Sequence, residues 1–113
     1  MPKLCNVNIG QRQKIYEKLN IFIQRLKKNF PIEQIYLYGS FARGEIHEGS
    51  DIDLIIVGNF KGRMFERIEQ ITSLTDLPIE PLVYTHEEFC HMRKDNPFIR
   101  GVIYGKGNRK MVG

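Results

Sequence analysis

The run Asp51-Ile52-Asp53-Leu54-Ile55-Ile56-Val57 sets the tightest limit on what this chain can fold into. Leu54 to Val57 are apolar in succession, so both faces of a strand built from them are buried, as a central strand requires. Two carboxylates stand at its entrance. A strand core gains nothing from them, and each one that loses water without a partner costs roughly several kcal/mol. A positive partner is therefore expected at this end. Residues two apart in a strand project from one face, about 7 Å apart at the base. Asp51 and Asp53 can thus converge on one cation and keep an oxygen each for a second. Magnesium suits them, because it takes oxygen ligands, keeps several waters and completes its shell with substrate phosphates. An isolated D-x-D pattern is common by chance, and two solvated acids capping neighbouring amides would be the plainer reading of it.

The residues before it change that balance. "IYLY" alternates Ile35 and Leu37 with Tyr36 and Tyr38, a strand pattern that Gly39-Ser40 stops. Glycine admits close backbone approach, and amides at a helix start attract phosphate. The Ser40 hydroxyl adds a donor, and Arg43 lies one helical turn on. Alone, these residues are a turn with a surface cation. Joined to the D-x-D strand they supply both halves of a site for a metal-bound triphosphate. Ser50 stands where it either bonds a phosphate or caps Asp53.

This joining fixes topology. Phosphates bridged by metals must touch the end of the first strand and the start of the second, so those strands run antiparallel. Glu80 lies early in a third strand, "LPIEPLVYT". If it completes the metal site, that strand runs parallel to the second through a Gly62–Thr75 helix. The expected fold is α/β (α+β): a small mixed sheet with helices packed mainly on one face and an acidic pocket at one edge. Read plainly, Glu80 is an edge-strand acid that deters aggregation, and the two readings stand level.

The remaining chain supports one domain over residues 1–113. Its 42% hydrophobic and 27% charged residues are ordinary for a globular protein and argue against disorder. A net charge of +4 fits acidic partners such as nucleotides, nucleic acid or an acidic protein surface. Cys5 and Cys90 are too few for a disulfide framework, and no signal-peptide pattern follows Met1, so a cytoplasmic location is expected. No apolar run has the length of a membrane span. His47, His86 and His91 lack the i,i+4 spacing of a two-histidine metal site and read as surface or cap residues. Apolar spacing predicts helices over Gln11–Phe30 and Lys61–Asp76. Thr85 with Glu88 forms a capping box for a helix to about Lys94. Asn96-Pro97 starts another that Gly105 ends, and "NRKMV" adds a short final strand.

The run Gly39-Ser40, ten residues, then Asp51-Ile52-Asp53 resembles the signature of the polymerase-beta-like nucleotidyltransferase superfamily. More narrowly, "GSFARGEIHEGSDIDLIIV" is similar to the minimal nucleotidyltransferases, and a looser likeness extends from the helix before Pro31 to about Tyr104. The resemblance implies nucleotidyl transfer from a nucleoside triphosphate, ATP above all, with two magnesium ions. Asp51 and Asp53 match the metal-binding pair, Gly39 and Ser40 the phosphate-binding turn. Family members commonly carry an aspartate in a "P-[VI]-D-[LV]-V" strand. The matching stretch here is "PIEPLV", with Glu80 in its place and Pro81 beside it. The added methylene moves the carboxylate by about 1 Å, a displacement that matters for in-line attack. Minimal nucleotidyltransferases often pair with a helical HEPN-type protein, and in some such toxin–antitoxin pairs adenylylate its tyrosine. The resemblance therefore implies a hydroxyl acceptor on a protein partner. A non-catalytic antitoxin acting by contact is the alternative, and a nucleic-acid module lacks the interleaved exposed aromatics that base stacking wants.

Overall fold

Four strands form one sheet in the order β3-β2-β1-β4: β1 (Ile32–Tyr38), β2 (Ile52–Gly58), β3 (Ile79–Tyr84) and β4 (Arg109–Val112). The computed structural model describes residues 9–44, 51–105 and 107–112, with the backbone alone for residues 9–12 and 40. β1 and β2 pair antiparallel, β2 and β3 pair parallel, and β4 pairs antiparallel with β1. Both strand directions inferred from the phosphate-site reasoning hold. β2 lies inside the sheet, and every residue of it except Asp53 is buried.

Alternation along the strands divides the core into two. Ile35 and Leu37 of β1 and Ile52, Leu54 and Ile56 of β2 face one side. There α1 (Ile9–Asn29) lays down Leu19, Phe22, Ile23 and Leu26, and α3 (Met64–Thr72) adds Ile71. Tyr36, Ile55 and Val57 face the other side, against Phe89 of α4 (His86–Asp95) and Ile99 and Val102 of α5 (Pro97–Tyr104). The expectation of helices mainly on one face describes the larger layer, that of α1 and α3. A second, smaller layer covers the opposite face, because Ile55 and Val57 would otherwise leave apolar area in water, at about 25 cal/mol per Å².

The caps follow their chemistry. The Thr85 hydroxyl accepts from Glu88 N–H at 3.2 Å, and Glu88 accepts from Thr85 N–H at 2.8 Å. The Asn96 side chain accepts from the amides of Phe98 and Ile99, with Pro97 at the first helical position. α3 is shorter than its apolar spacing predicts. Gly62 sits at φ +88°, outside any right-handed helix, and Glu66 closes the start by accepting from Arg63 N–H at 2.8 Å. At the other end the Thr72 and Ser73 hydroxyls donate to carbonyls of the last turn.

β3 is an edge strand, and α3 seals part of it. Arg67, 8% exposed, donates to the Val83 carbonyl at 3.1 Å, the Gly62 carbonyl at 2.9 Å and Glu88 Oε1 at 2.7 Å. Met64 Sδ accepts from Val83 N–H at 3.4 Å. The Val83 amide and carbonyl, which would otherwise invite another strand, are both occupied. The hydrogen bond from Arg67 holds the Glu88 carboxyl below its ordinary 4.5, against the opposing effect of partial burial.

Removing the guanidinium strands the Val83 and Gly62 carbonyls. Arg67→Met is expected to cost about 2–3 kcal/mol, read as a lowered urea midpoint with an unchanged slope. Glu88, held low in the folded state, contributes stability above its ordinary value and loses it as pH falls through the lowered one. Its side chain is 46% exposed, so this share is modest. Acidification from about pH 5 to about pH 3 should therefore weaken the wild type more than Arg67→Met.

Candidate functional site

Parity and register bring the acids together. Tyr38 ends β1 opposite Asp53 of β2, and Asp53 lies beside Glu80 of β3. Asp53 shares a strand face with Ile55 and Val57, Tyr38 with Tyr36, and Glu80 with Leu82 and Tyr84. All three therefore lie on the α4–α5 face of the sheet, across three neighbouring strands. Asp51 precedes β2 and is exposed.

The β1 chain then turns sharply. Gly39 has φ +77° and opens α2 (Gly39–Ala42), a single helical turn. A Cβ added at Gly39 would run into the Asp53 carboxylate. Glycine is required there twice over: for its left-handed backbone, and because Asp53 occupies the space a side chain would fill. The turn and the acid named from sequence are thus in contact.

The electrostatics are those of crowded like charges. Burial raises the Asp53 pKa above its ordinary 3.8, and the charge of Asp51 raises it further. Glu80 is raised too, first by a hydrogen bond with Asp51, then by the Asp51 charge, with smaller effects from burial and Asp53. Such a hydrogen bond needs a proton on one of the two carboxyls. Tyr38 is pushed up to about 12, by burial first and then by the charges of Asp53, Tyr84 and Glu80. It remains a neutral donor throughout the working range. Its ring meets Phe98 edge-on at 5.6 Å, which ties this end of β1 to α5.

Among the described residues, no three His, Cys, Asp or Glu side chains are gathered closely enough to hold an ion as they stand. The donor chemistry nevertheless fits a hard divalent cation. Every ligand on offer is a carboxylate oxygen, and the share of the Asp53 and Glu80 shifts that comes from the Asp51 charge is what such an ion would relieve.

Arg43 follows α2, with its amide donating to the Gly39 carbonyl at 3.3 Å. It is exposed, and its stem lies beside Gly107, where an added Cβ would come within 3.2 Å of Arg43 Cγ. Ser50 and the Ser40 side chain lie outside the described residues. Sequence reasoning missed Tyr38 as part of the site. Its signal was there: the strand residue next to Gly39, paired across an antiparallel ladder, must face the D-x-D acids.

The family described as nucleotidyltransferase domain matches residues 19–104. A putative protein adenylyltransferase of Methanocaldococcus jannaschii is 29% identical over 99 residues, covering 77% of this chain and 65% of the relative. A second protein of that description from the same organism is 48% identical over 40 residues, 34% of this chain and 40% of the relative. This chain thus spans less than two thirds of either relative. The crystal structure of a putative nucleotidyltransferase from Sulfolobus solfataricus superposes with a TM-score of 0.60 at 19% identity, covering 79% of this chain and 85% of that one, a likeness of fold.

Two substitutions should move stability in opposite directions. In metal-free buffer at about pH 7.5, Gly39→Ala lowers the thermal midpoint, since a left-handed non-glycine residue alone costs roughly 1–2 kcal/mol. Asp53→Asn raises it. A carboxyl whose folded pKa lies above the unfolded one weakens the fold as pH rises between the two values, and the penalty then stays constant. The gain from Asn should accordingly vanish below the ordinary value of 3.8, where Asp53 is protonated in both states.

Proposed function

This chain belongs to the nucleotidyltransferase domain family, and from that premise we propose that it transfers a nucleoside monophosphate, AMP from ATP, to a hydroxyl of a protein partner. The observation that carries the reading is the register Tyr38–Asp53–Glu80 across three strands, with Asp51 and the Gly39 turn beside it. Asp51, Asp53 and Glu80 are the residues that would hold two magnesium ions. When bound, the ions neutralise the charge on the triphosphate and on the departing pyrophosphate and acidify the acceptor hydroxyl.

The chain's own groups have separate tasks. The turn at Gly39 would receive the triphosphate tail on the Ser40 and neighbouring amides. Arg43 and Ser50 add contacts to the phosphates. The acceptor oxygen bonds to the α-phosphorus as the bond to pyrophosphate breaks. Its proton passes to a Glu80 carboxylate oxygen, which the β2–β3 register places beside Asp53. Tyr38 keeps its proton and is a donor beside Asp53.

The acceptor is assigned as a tyrosine of a HEPN-type partner, with this chain as the antitoxin of the pair. That assignment rests on the resemblance in the Gly39–Val57 motif and on relatives named as protein adenylyltransferases. Cytoplasmic action follows from it, and among the described residues no helix is long and apolar enough to cross a membrane. A second reading, a contact-only antitoxin without turnover, is favoured by Glu80 standing where the family commonly has aspartate.

Incubation with labelled ATP, magnesium and the neighbouring gene product should put label on that protein. Asp51→Asn and Asp53→Asn should each reduce labelling by at least about a hundredfold. Glu80→Asp should preserve or raise it. No label with wild type, while the Asp51→Asn chain still binds the partner, would favour the contact-only reading.

A further inference from the structure

A second cluster of reactive side chains lies at the other end of β1, away from the carboxylates. Glu33 is the second residue of β1, and Tyr38 is the last. His86 opens α4, and Cys90 follows one turn later on the same face. His86 Nδ1 lies 2.7 Å from Glu33 Oε1, and its Nε2 lies 3.4 Å from Cys90 Sγ. The two contacts fix the imidazole from both sides. An ionised carboxylate only accepts, so Nδ1 carries the proton and donates to Glu33. Nε2 is then the free lone pair, turned toward the thiol.

This is the order of groups that activates a nucleophile: thiol, base, and an acid that orients the base and supports its positive charge. Glu33 comes from a different element, so the arrangement is a product of the tertiary fold. The site is also open. His86 and Glu33 side chains are 65% and 44% exposed, and Cys90 is half-buried. His86 is exposed at the start of α4, as its sequence reading as a surface or cap residue expects, and β1 supplies it with a partner that no spacing shows.

We infer that Cys90, primed by His86 and Glu33, is a site of covalent modification that exchanges with the disulfide of a small-molecule thiol. The Cys90 proton passes to His86 Nε2, and Sγ attacks one sulfur of the incoming disulfide. A bond forms between the two sulfurs as the original S–S bond breaks. The Cys90 sulfur is oxidised, and the departing sulfur leaves with the electron pair and takes the proton from His86. The net products are a mixed disulfide on Cys90 and one free small thiol. His86 and Glu33 stand largely in solvent, a setting that suits small, soft electrophiles.

The test uses the full chain with Cys5→Ser, so that Cys90 is the one thiol present. Bis(2-hydroxyethyl) disulfide is the probe, and mass spectrometry follows the adduct at about pH 7. An ordinary thiol is only a few per cent thiolate there, so priming by the base gives room for about a tenfold gain. The folded chain should therefore react about tenfold faster than the same chain unfolded in urea. His86→Asn should abolish the advantage, Glu33→Gln should reduce it, and Cys90→Ser should form no adduct. Equal or slower reaction of the folded chain overturns the inference. So does an unchanged rate in both His86→Asn and Glu33→Gln, two exposed positions whose folding circular dichroism verifies.

Discussion

The structure depends on holding three carboxyl groups together at one edge of a sheet. Burial and then the Asp51 charge raise the Asp53 pKa, and a hydrogen bond with Asp51 and then its charge raise that of Glu80, so ionising these groups opposes folding. What holds them there is β2, buried along its whole length behind Asp53. Each of Leu54, Ile55, Ile56 and Val57 contributes about 1.5–3 kcal/mol on burial. Sliding β2 by one residue would turn Asp53 toward the apolar layer of α1 and α3. The core thus outweighs the crowding, and the strain stays where a divalent cation can relieve it.

Much of this was legible before any coordinates. The period-two alternation of Ile35–Tyr38, the doubly apolar run of β2 and the requirement that phosphates touch two strand ends together gave the antiparallel and parallel pairings. The capping boxes and the Asn96-Pro97 start were legible for the same reason: their hydrogen bonds are local. Contacts between residues distant in sequence were not. Arg67 gave no sign that it would be buried against Val83 and Glu88, because its spacing matches a solvated helix face equally well. The Glu33–His86 contact joins residues brought together by β1 and α4, and no spacing rule spans that distance. The second helical layer was hidden by the shortness of α5, whose apolar residues fix its face only once Ile55 and Val57 need covering.

Glu80 and Arg67 show how the edge strand serves two needs. At its start β3 presents an acid to the site, with Pro81 buried behind it. At its end α3 occupies the backbone of Val83 and closes the edge to further pairing. β3 can therefore stay exposed at Glu80 without offering a free ladder at Val83. Glutamate reaches farther than aspartate from the same strand position, and here it reaches Asp51.

Isothermal titration of ATP into the chain, with and without magnesium, addresses the central claim directly. Saturable heat only when magnesium is present, and its loss in Asp53→Asn, is the outcome the carboxylate crowding requires. ATP uptake indifferent to magnesium, or no uptake at all, would mean that the acids at the head of β2 are not a cation-and-nucleotide site.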